Sequence, residues 1–264
     1  PWRRATTTTP GGKFDPNYWK AVPDPNPGYF LDKNGMRRRH RWWMLELLDD
    51  SKAYDAINAI VAHPERWTFE CASFVQAIHL NALASSRGKR RTNAFYAKTK
   101  LRLRYHWSPG LKTRKHYRKD ETNGPWRVTD GGGRKRNVTI SDSKLLKGTP
   151  FGSRVMWHNV KGEKAWKNEN TVKFAANRYT GYPLFVSEYT GVPQPVKGWK
   201  VQMALAAHQV FKSDQAAHNT ALHEIQRASG TDVKNTKKLQ DLWQFTKKNV
   251  YLREITIIGP DPRI

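Results

Sequence analysis

Cys71 is the only cysteine in the 264 residues, and Glu70 stands directly before it. After it, Phe74, Val75, Ile78 and Ala82 recur at the three-and-four spacing of one helix face. The pattern predicts a helix running to about Ser85, with the cysteine at or near its first turn. A thiol placed there meets unpaired backbone N–H groups and the positive end of the helix dipole, and both favour the thiolate. A thiolate attacks carbonyl carbon, so the chemistry within reach is acyl transfer through a thioester. The same spacing also fits a small cysteine packed on the apolar face of a core helix. Periodicity alone leaves both readings open.

A cysteine at a helix start, followed in sequence by several strands, is the layout of papain-like cysteine hydrolases and acyltransferases. There the helix presents the thiol and the sheet presents a base that is close in space rather than in sequence. Three short stretches carry a closer resemblance. Phe69-Glu70-Cys71-Ala72, preceded by Ala53-Tyr54-Asp55-Ala56-Ile57, resembles the active-site segment of the bacterial spore-coat type protein-glutamine gamma-glutamyltransferases. Gly152-x-x-Val155-x-Trp157-x-Asn159 resembles the next strand of that family. Glu169-Asn170-Thr171-Val172, followed by Tyr179-Thr180-Gly181, resembles its Glu-Asn-Ala-Val strand and the turn after it. The likeness spans residues 41–184.

The resemblance implies a compact, calcium-independent transglutaminase on a papain-like (peptidoglycan-hydrolase-type) fold, with no cofactor. It makes Cys71 the nucleophile, Glu169 the general base or acid, and Glu70 a neighbouring carboxylate able to share that role. The family carries a histidine in the turn where this sequence has Tyr182, after Gly181. The third member is then Tyr182 itself, His158 from the preceding strand, or no residue, a Cys–Glu pair sufficing. Without the resemblance, Glu70 reads as a first-turn carboxylate that complements the helix dipole, and Glu169 as a solvent-facing strand residue.

The elements that must position these residues follow from the rest of the chain. Residues 1–40 are rich in Thr, Pro and Gly and read as an extended lead, whose aromatics favour wrapping a body. Residues 41–198 read as the papain-like catalytic core, and 199–264 as a helical extension packed on it. Within the core, Trp42 to Leu48 reads as a helix, and Asp49, Asp50 and Ser51 cap a second helix with Tyr54, Ile57, Ile60 and Val61 as its stripe. Lys98 to His106 alternates like a strand, and Lys112 to Lys119 and Gly131 to Arg136 read as exposed loops. Strands are expected at 138–140, 152–157, 169–174 and 184–186, with a turn at 177–183. Helices are expected at about 199–211, or as far as Arg227 with Ser213 or Asp214 a new cap, and at 232–249, before a closing strand at 250–258. The class is α+β.

Composition bounds the partners. Lys and Arg number 47 against 22 Asp and Glu, a formal charge of +25. That field attracts nucleic acid, anionic surfaces or acidic proteins and says nothing of fold. Seventeen Lys and Arg lie between Arg87 and Arg136, against Asp120, Glu121 and Asp130. One cysteine excludes an internal disulfide and a multi-cysteine zinc site, and the nine histidines show no HExxH or zinc spacing. His208 and His218 read as isolated surface or core histidines. No apolar run reaches the roughly 18 residues of a membrane span. A start at Pro1-Trp2 without methionine suggests a piece of a longer protein.

The first function reading is therefore a transglutaminase that joins accessible Gln and Lys side chains of proteins, or deamidates Gln when water replaces the amine. Its setting would be a secreted or delivered bacterial effector with an acidic immunity or carrier protein as counterpart, and otherwise the cytoplasm. The readings set against it are a basic nucleic-acid-binding protein and a papain-like peptidase or amidase. A carboxylate serves as the base near neutral pH only if its pKa is raised from the usual value of about 4.3.

Overall fold

The computed structural model describes residues 13–25, 28–31, 36–40, 43–63, 66–67, 71–103, 111–162, 167–181, 194–229 and 236–260. They form an α+β protein whose chain divides into two compact units, residues 1–112 with 260–264, and residues 113–259.

The first unit holds strands β1 (Trp19–Pro23), β2 (Gly28–Leu31), β3 (Arg37–His40), β4 (Trp43–Leu47) and β5 (Arg102–Leu103). β1, β4 and β5 form one sheet in that order, and β2 and β3 a separate antiparallel pair. The helix expected at 42–48 is β4. Trp43, Leu45 and Leu47 alternate with Met44 and Glu46, and so short and mostly apolar a stretch satisfies either period. The neighbouring strands decide: Glu46 lies opposite Lys20 of β1 and Arg102 of β5. It takes an ion pair from each, at 3.2 and 2.9 Å.

Asp49 accepts from the Ser51 N–H and caps a short 3-10 turn, residues 50–52, that leads into helix α1 (Ala53–Ala62). α1 itself has Lys52 at its N-cap and no side-chain cap, so the expected cap stands one turn ahead of the helix. α1 packs against α2 (Cys71–Thr99). α2 is two helical pieces meeting at Gly88, whose φ of 75° is not helical. The expected end near Ser85 thus falls close to the break, and the first part of the basic segment is helical beyond it. Trp19, Leu45, Ile57, Val75, Leu80, Tyr96, Leu101 and Leu103 form the buried interior of this unit.

The second unit is built on an eight-stranded sheet. Its strands are β6 (Leu111–Arg118), β7 (Trp126–Asp130), β8 (Lys135–Val138), β9 (Arg154–Asn159), β10 (Asn168–Ala175), β11 (Arg178–Gly181), β12 (Val196–Lys197) and β13 (Val250–Pro260). The order is β12-β11-β10-β9-β13-β6-β7-β8. The basic stretch expected as exposed loops is instead the β6–β7–β8 meander. Only the tip keeps the loop reading: Asp130 Oδ1 accepts from the N–H groups of Gly132 and Arg134, and Gly133 has φ of 82°, a conformation that favours glycine. The turn expected at 177–183 contains β11, because Tyr179 and Thr180 pair with Lys173 and Val172 across a tight bend.

Helices α3 (Asp142–Gly148), α4 (Gly198–Val210), α5 (Gln215–Arg227) and α6 (Lys237–Asn249) complete the unit. Ser141, Asp214 and Thr236 cap α3, α5 and α6 through their side chains. α4 carries Val201, Met203, Ala204, Leu205, Ala206 and Ala207 into a core with Val155, Trp157, Tyr179, Leu252 and Ile255 of the sheet. β13 lies between β9 and β6, so residues 199–259 share a core with residues 113–198. Two buried lysines hold α3 at its ends. Lys119 Nζ pairs with Asp142 at 2.7 Å, and Lys173 Nζ donates to the carbonyls of Leu146 and Thr149. That assignment suits the helix dipole at the N-terminal carboxylate and at the C-terminal carbonyls alike.

Candidate active site

Cys71 is the first residue of α2 and is half-buried. On its predicted face Phe74 and Val75 are buried, Ile78 is half-buried and Ala82 exposed. The face therefore turns out of the interior along the helix, and Cys71 is not sealed as a core cysteine would be. The same two turns bury three polar side chains at three-residue spacing, Ser73, Gln76 and His79. The Ser73 hydroxyl has no hydrogen-bond partner among the described residues. The apolar stripe draws attention away from them, although a polar residue at every third position is visible in the sequence.

Glu169 sits on β10 directly opposite Trp157 of β9. Residues opposite one another in an antiparallel pair share a face, and Trp157 lies in the core with α4. The carboxyl is accordingly only 3% exposed, so the solvent-facing reading is excluded. Its Oε1 has no hydrogen-bond partner among the described residues, and burial pushes its pKa well above the usual carboxylate range. Beside it, the Trp157 indole N–H donates to Thr171 Oγ1 at 3.2 Å, and that hydroxyl donates to the Val155 carbonyl at 3.0 Å. The neighbouring polar groups satisfy one another and leave Glu169 Oε1 out.

Gly181 makes room for this carboxyl. It pairs with Thr171 across the β10–β11 ladder. A Cβ added there would stand 2.8 Å from Glu169 Oε1 and 2.9 Å from Thr171 Cγ2. Nothing in the sequence motif, which reads Gly181 as part of a turn, signals this close approach.

His158 is not brought to Glu169. It is the strand neighbour of Trp157 and pairs with Asn168, so it projects from the opposite face of the sheet. Its Nδ1 lies 2.7 Å from Asn168 Oδ1 and 3.0 Å from Arg253 Nη1. Burial lowers its pKa and the Arg253 cation adds to that, against the Asn168 hydrogen bond. The same face carries Arg154, bonded to Asn170 at 2.6 Å and paired with Glu254 at 3.3 Å. Glu70 and Tyr182 lie outside the described residues, as do residues 184–186.

His208 and His218, expected to stand alone, have rings 5.0 Å apart on α4 and α5. Burial, with His218 adding to it, pushes His208 down to about 4. Among the described residues no group of three His, Cys, Asp or Glu side chains is placed to hold a metal ion, and no helix is long and apolar enough to cross a membrane.

No protein-family model matches this sequence, and no curated protein sequence does. Among solved structures the chain has a distant similarity to the transglutaminase from Geobacillus stearothermophilus (without C-terminal extension). The TM-score is 0.45 and the identity 15%, over 94% of this chain and 78% of that one.

Proposed function

We propose that this chain is a protein-glutamine gamma-glutamyltransferase on a papain-like fold. The observation that carries the reading is Glu169. The motif resemblance picks it out as the proton-handling carboxyl, and that role near neutral pH requires a raised pKa. Its burial without a partner on Oε1 supplies the shift.

In the proposed reaction the Cys71 thiolate attacks the carboxamide carbon of a substrate glutamine. The Cys71 backbone N–H, at the start of α2, is a donor for the resulting oxyanion. The protonated Glu169 gives its proton to the departing nitrogen, ammonia leaves, and the acyl group remains on sulfur as a thioester. Glu169, now a carboxylate, takes a proton from an incoming neutral lysine amine. The amine nitrogen bonds the carbonyl carbon, the C–S bond breaks, and the thiolate and the protonated Glu169 are restored. Water in place of the amine gives glutamate, so cross-linking and deamidation share one intermediate. Glu70 is proposed to share the proton transfer, and Tyr182 to occupy the position of the family's histidine. A delivered effector, opposed by an acidic immunity or carrier protein, is the setting we propose; the charge of +25 supports an acidic counterpart.

The test is incorporation of a fluorescent primary amine into a glutamine-containing protein, with ammonia release followed in parallel, for wild type and Cys71→Ala. Both signals are expected in the wild type, and a loss of about a thousandfold or more in the variant. Ammonia without labelling would assign a deamidase. Labelling that survives Cys71→Ala would overturn the reading.

A further inference from the structure

The β6–β7–β8 meander carries a basic surface that acyl transfer does not use. Register places Arg118 opposite Arg127, Arg127 opposite Asn137, His116 opposite Thr129, and Thr129 opposite Lys135. Side chains alternate along a strand and directly opposed residues share a face. One face of the meander therefore presents Lys112, Arg114, His116 and Arg118 from β6, Arg127 and Thr129 from β7, and Lys135 and Asn137 from β8. The other face carries Tyr117, Trp126 and Val128 into the unit's interior. Arg114, Arg118, Arg127 and Lys135 are all exposed.

Two acids tie part of this surface down. Asp120 pairs with Arg118 at 3.1 Å and with Arg127, and Glu254 lies 3.6 Å from His116. Arg114 and Lys135 make no ion pair among the described residues. Arg114 lies against the backbone of Gly259 on β13, where any side chain would collide with its guanidinium.

We propose that this face binds the phosphate backbone of double-stranded nucleic acid without reading its sequence. Three of its four exposed cations are arginines, whose planar fork suits phosphate oxygens. A protein partner would call for an apolar centre in the contact, and none of the exposed large apolar residues lies on β6, β7 or β8. Single-strand binding calls for aromatic platforms, and the meander's Tyr117 and Trp126 face inward, packed edge to face at 6.5 Å. What the face offers is cations and small polar groups, which is the requirement for backbone contact.

The experiment measures binding of the full chain to a fluorescent 20-base-pair DNA duplex by anisotropy, between about 50 and 200 mM salt. Wild type is compared with Arg114→Gln/Arg127→Gln/Lys135→Gln and with Lys237→Gln/Lys247→Gln/Lys248→Gln, which removes equal charge from α6. The meander variant is expected to bind at least tenfold more weakly at the lowest salt. Its log–log salt slope should be shallower by about 2 to 3, since each phosphate left without its cation takes about 0.9 from the slope. The α6 variant should stay within about twofold of wild type. Unchanged thermal unfolding of both variants keeps the comparison clean, since the substituted residues lie on the surface. Absence of wild-type binding, equal weakening in both variants, or tighter binding of a single strand or of polyglutamate would overturn the proposal.

Discussion

Two buried carboxyls among the described residues, Asp15 in the first unit and Glu169 in the second, are treated in opposite ways. Asp15 is fully buried; its Oδ1 accepts from the Asn17 N–H and its Oδ2 from Arg66 at 2.9 Å. Burial pushes its pKa up, but the Asn17 and Arg66 hydrogen bonds outweigh that and hold it below the usual value. Glu169 is buried to nearly the same degree, receives no donor on Oε1 among the described residues, and is pushed well above the usual value. A carboxylate that only has to stabilise a fold is given partners, because burying an unpaired charge is costly. A carboxyl left without them costs stability as soon as it ionises. That contrast separates a structural acid from one poised to exchange a proton.

The largest effect that could break the contrast is on catalysis. Glu169→Gln is expected to lower the amine-transfer rate by about a hundredfold or more, while Asp15→Asn should leave the rate constant per folded molecule unchanged. Steady-state rates normalised to folded protein check this. Next comes stability at fixed pH. Arg66→Ala leaves Asp15 buried without its cation and should cost about 2 kcal/mol in urea unfolding at pH 7, somewhat less than a sealed pair because Arg66 is partly exposed.

The third test uses pH, and the sign follows from the direction of each shift. Glu169 has a raised folded-state pKa, so its contribution to stability is present below the unfolded value, near 4.5, and is lost as pH rises through the folded pKa. Asp15 has a lowered one, so its contribution is present above the unfolded value, near 3.8, and is lost as pH falls through the folded pKa. Glu169→Gln should therefore flatten the decline in unfolding free energy above about pH 4.5, and Asp15→Asn should flatten the decline in acid. Urea unfolding from about pH 3 to 9 reads both. The smallest expected change is at Glu46, where pairs with Lys20 and Arg102 link β4 to both neighbouring strands at a partly exposed site. Glu46→Gln should cost about 1 kcal/mol or less, and less still at high salt.

The legibility of these features differs from residue to residue. The cysteine at the start of α2, a capping residue near Asp49 and the Asp214 cap of α5 are readable in the sequence, because caps and helix periodicity are local. β4 reads as a helix because a short apolar run fits both periods until its neighbours are known. β6 reads as a loop because Lys-Thr-Arg-Lys-His-Tyr-Arg puts polar residues on both faces; its strand nature comes from pairing with β7 and packing of Tyr117 on Trp126. At the candidate site, the motif points to Glu169 but not to its burial, since the motif says nothing of which face α4 covers. For the same reason His158 reads as a possible partner although it lies on the other side of the sheet; only the Glu169–Trp157 register shows it. Gly181 and the Asp15–Arg66 pair depend on contacts between residues far apart in sequence, or across a ladder, that no local pattern encodes.

The measurement that tests the central claim most directly is the pH dependence of kcat/KM for amine incorporation, wild type beside Glu169→Gln. The expected result is a wild-type limb set by a carboxyl titrating well above 4.5, and a variant that is both slower and without that limb. A Glu169→Gln enzyme with wild-type rate and an unchanged profile would contradict it.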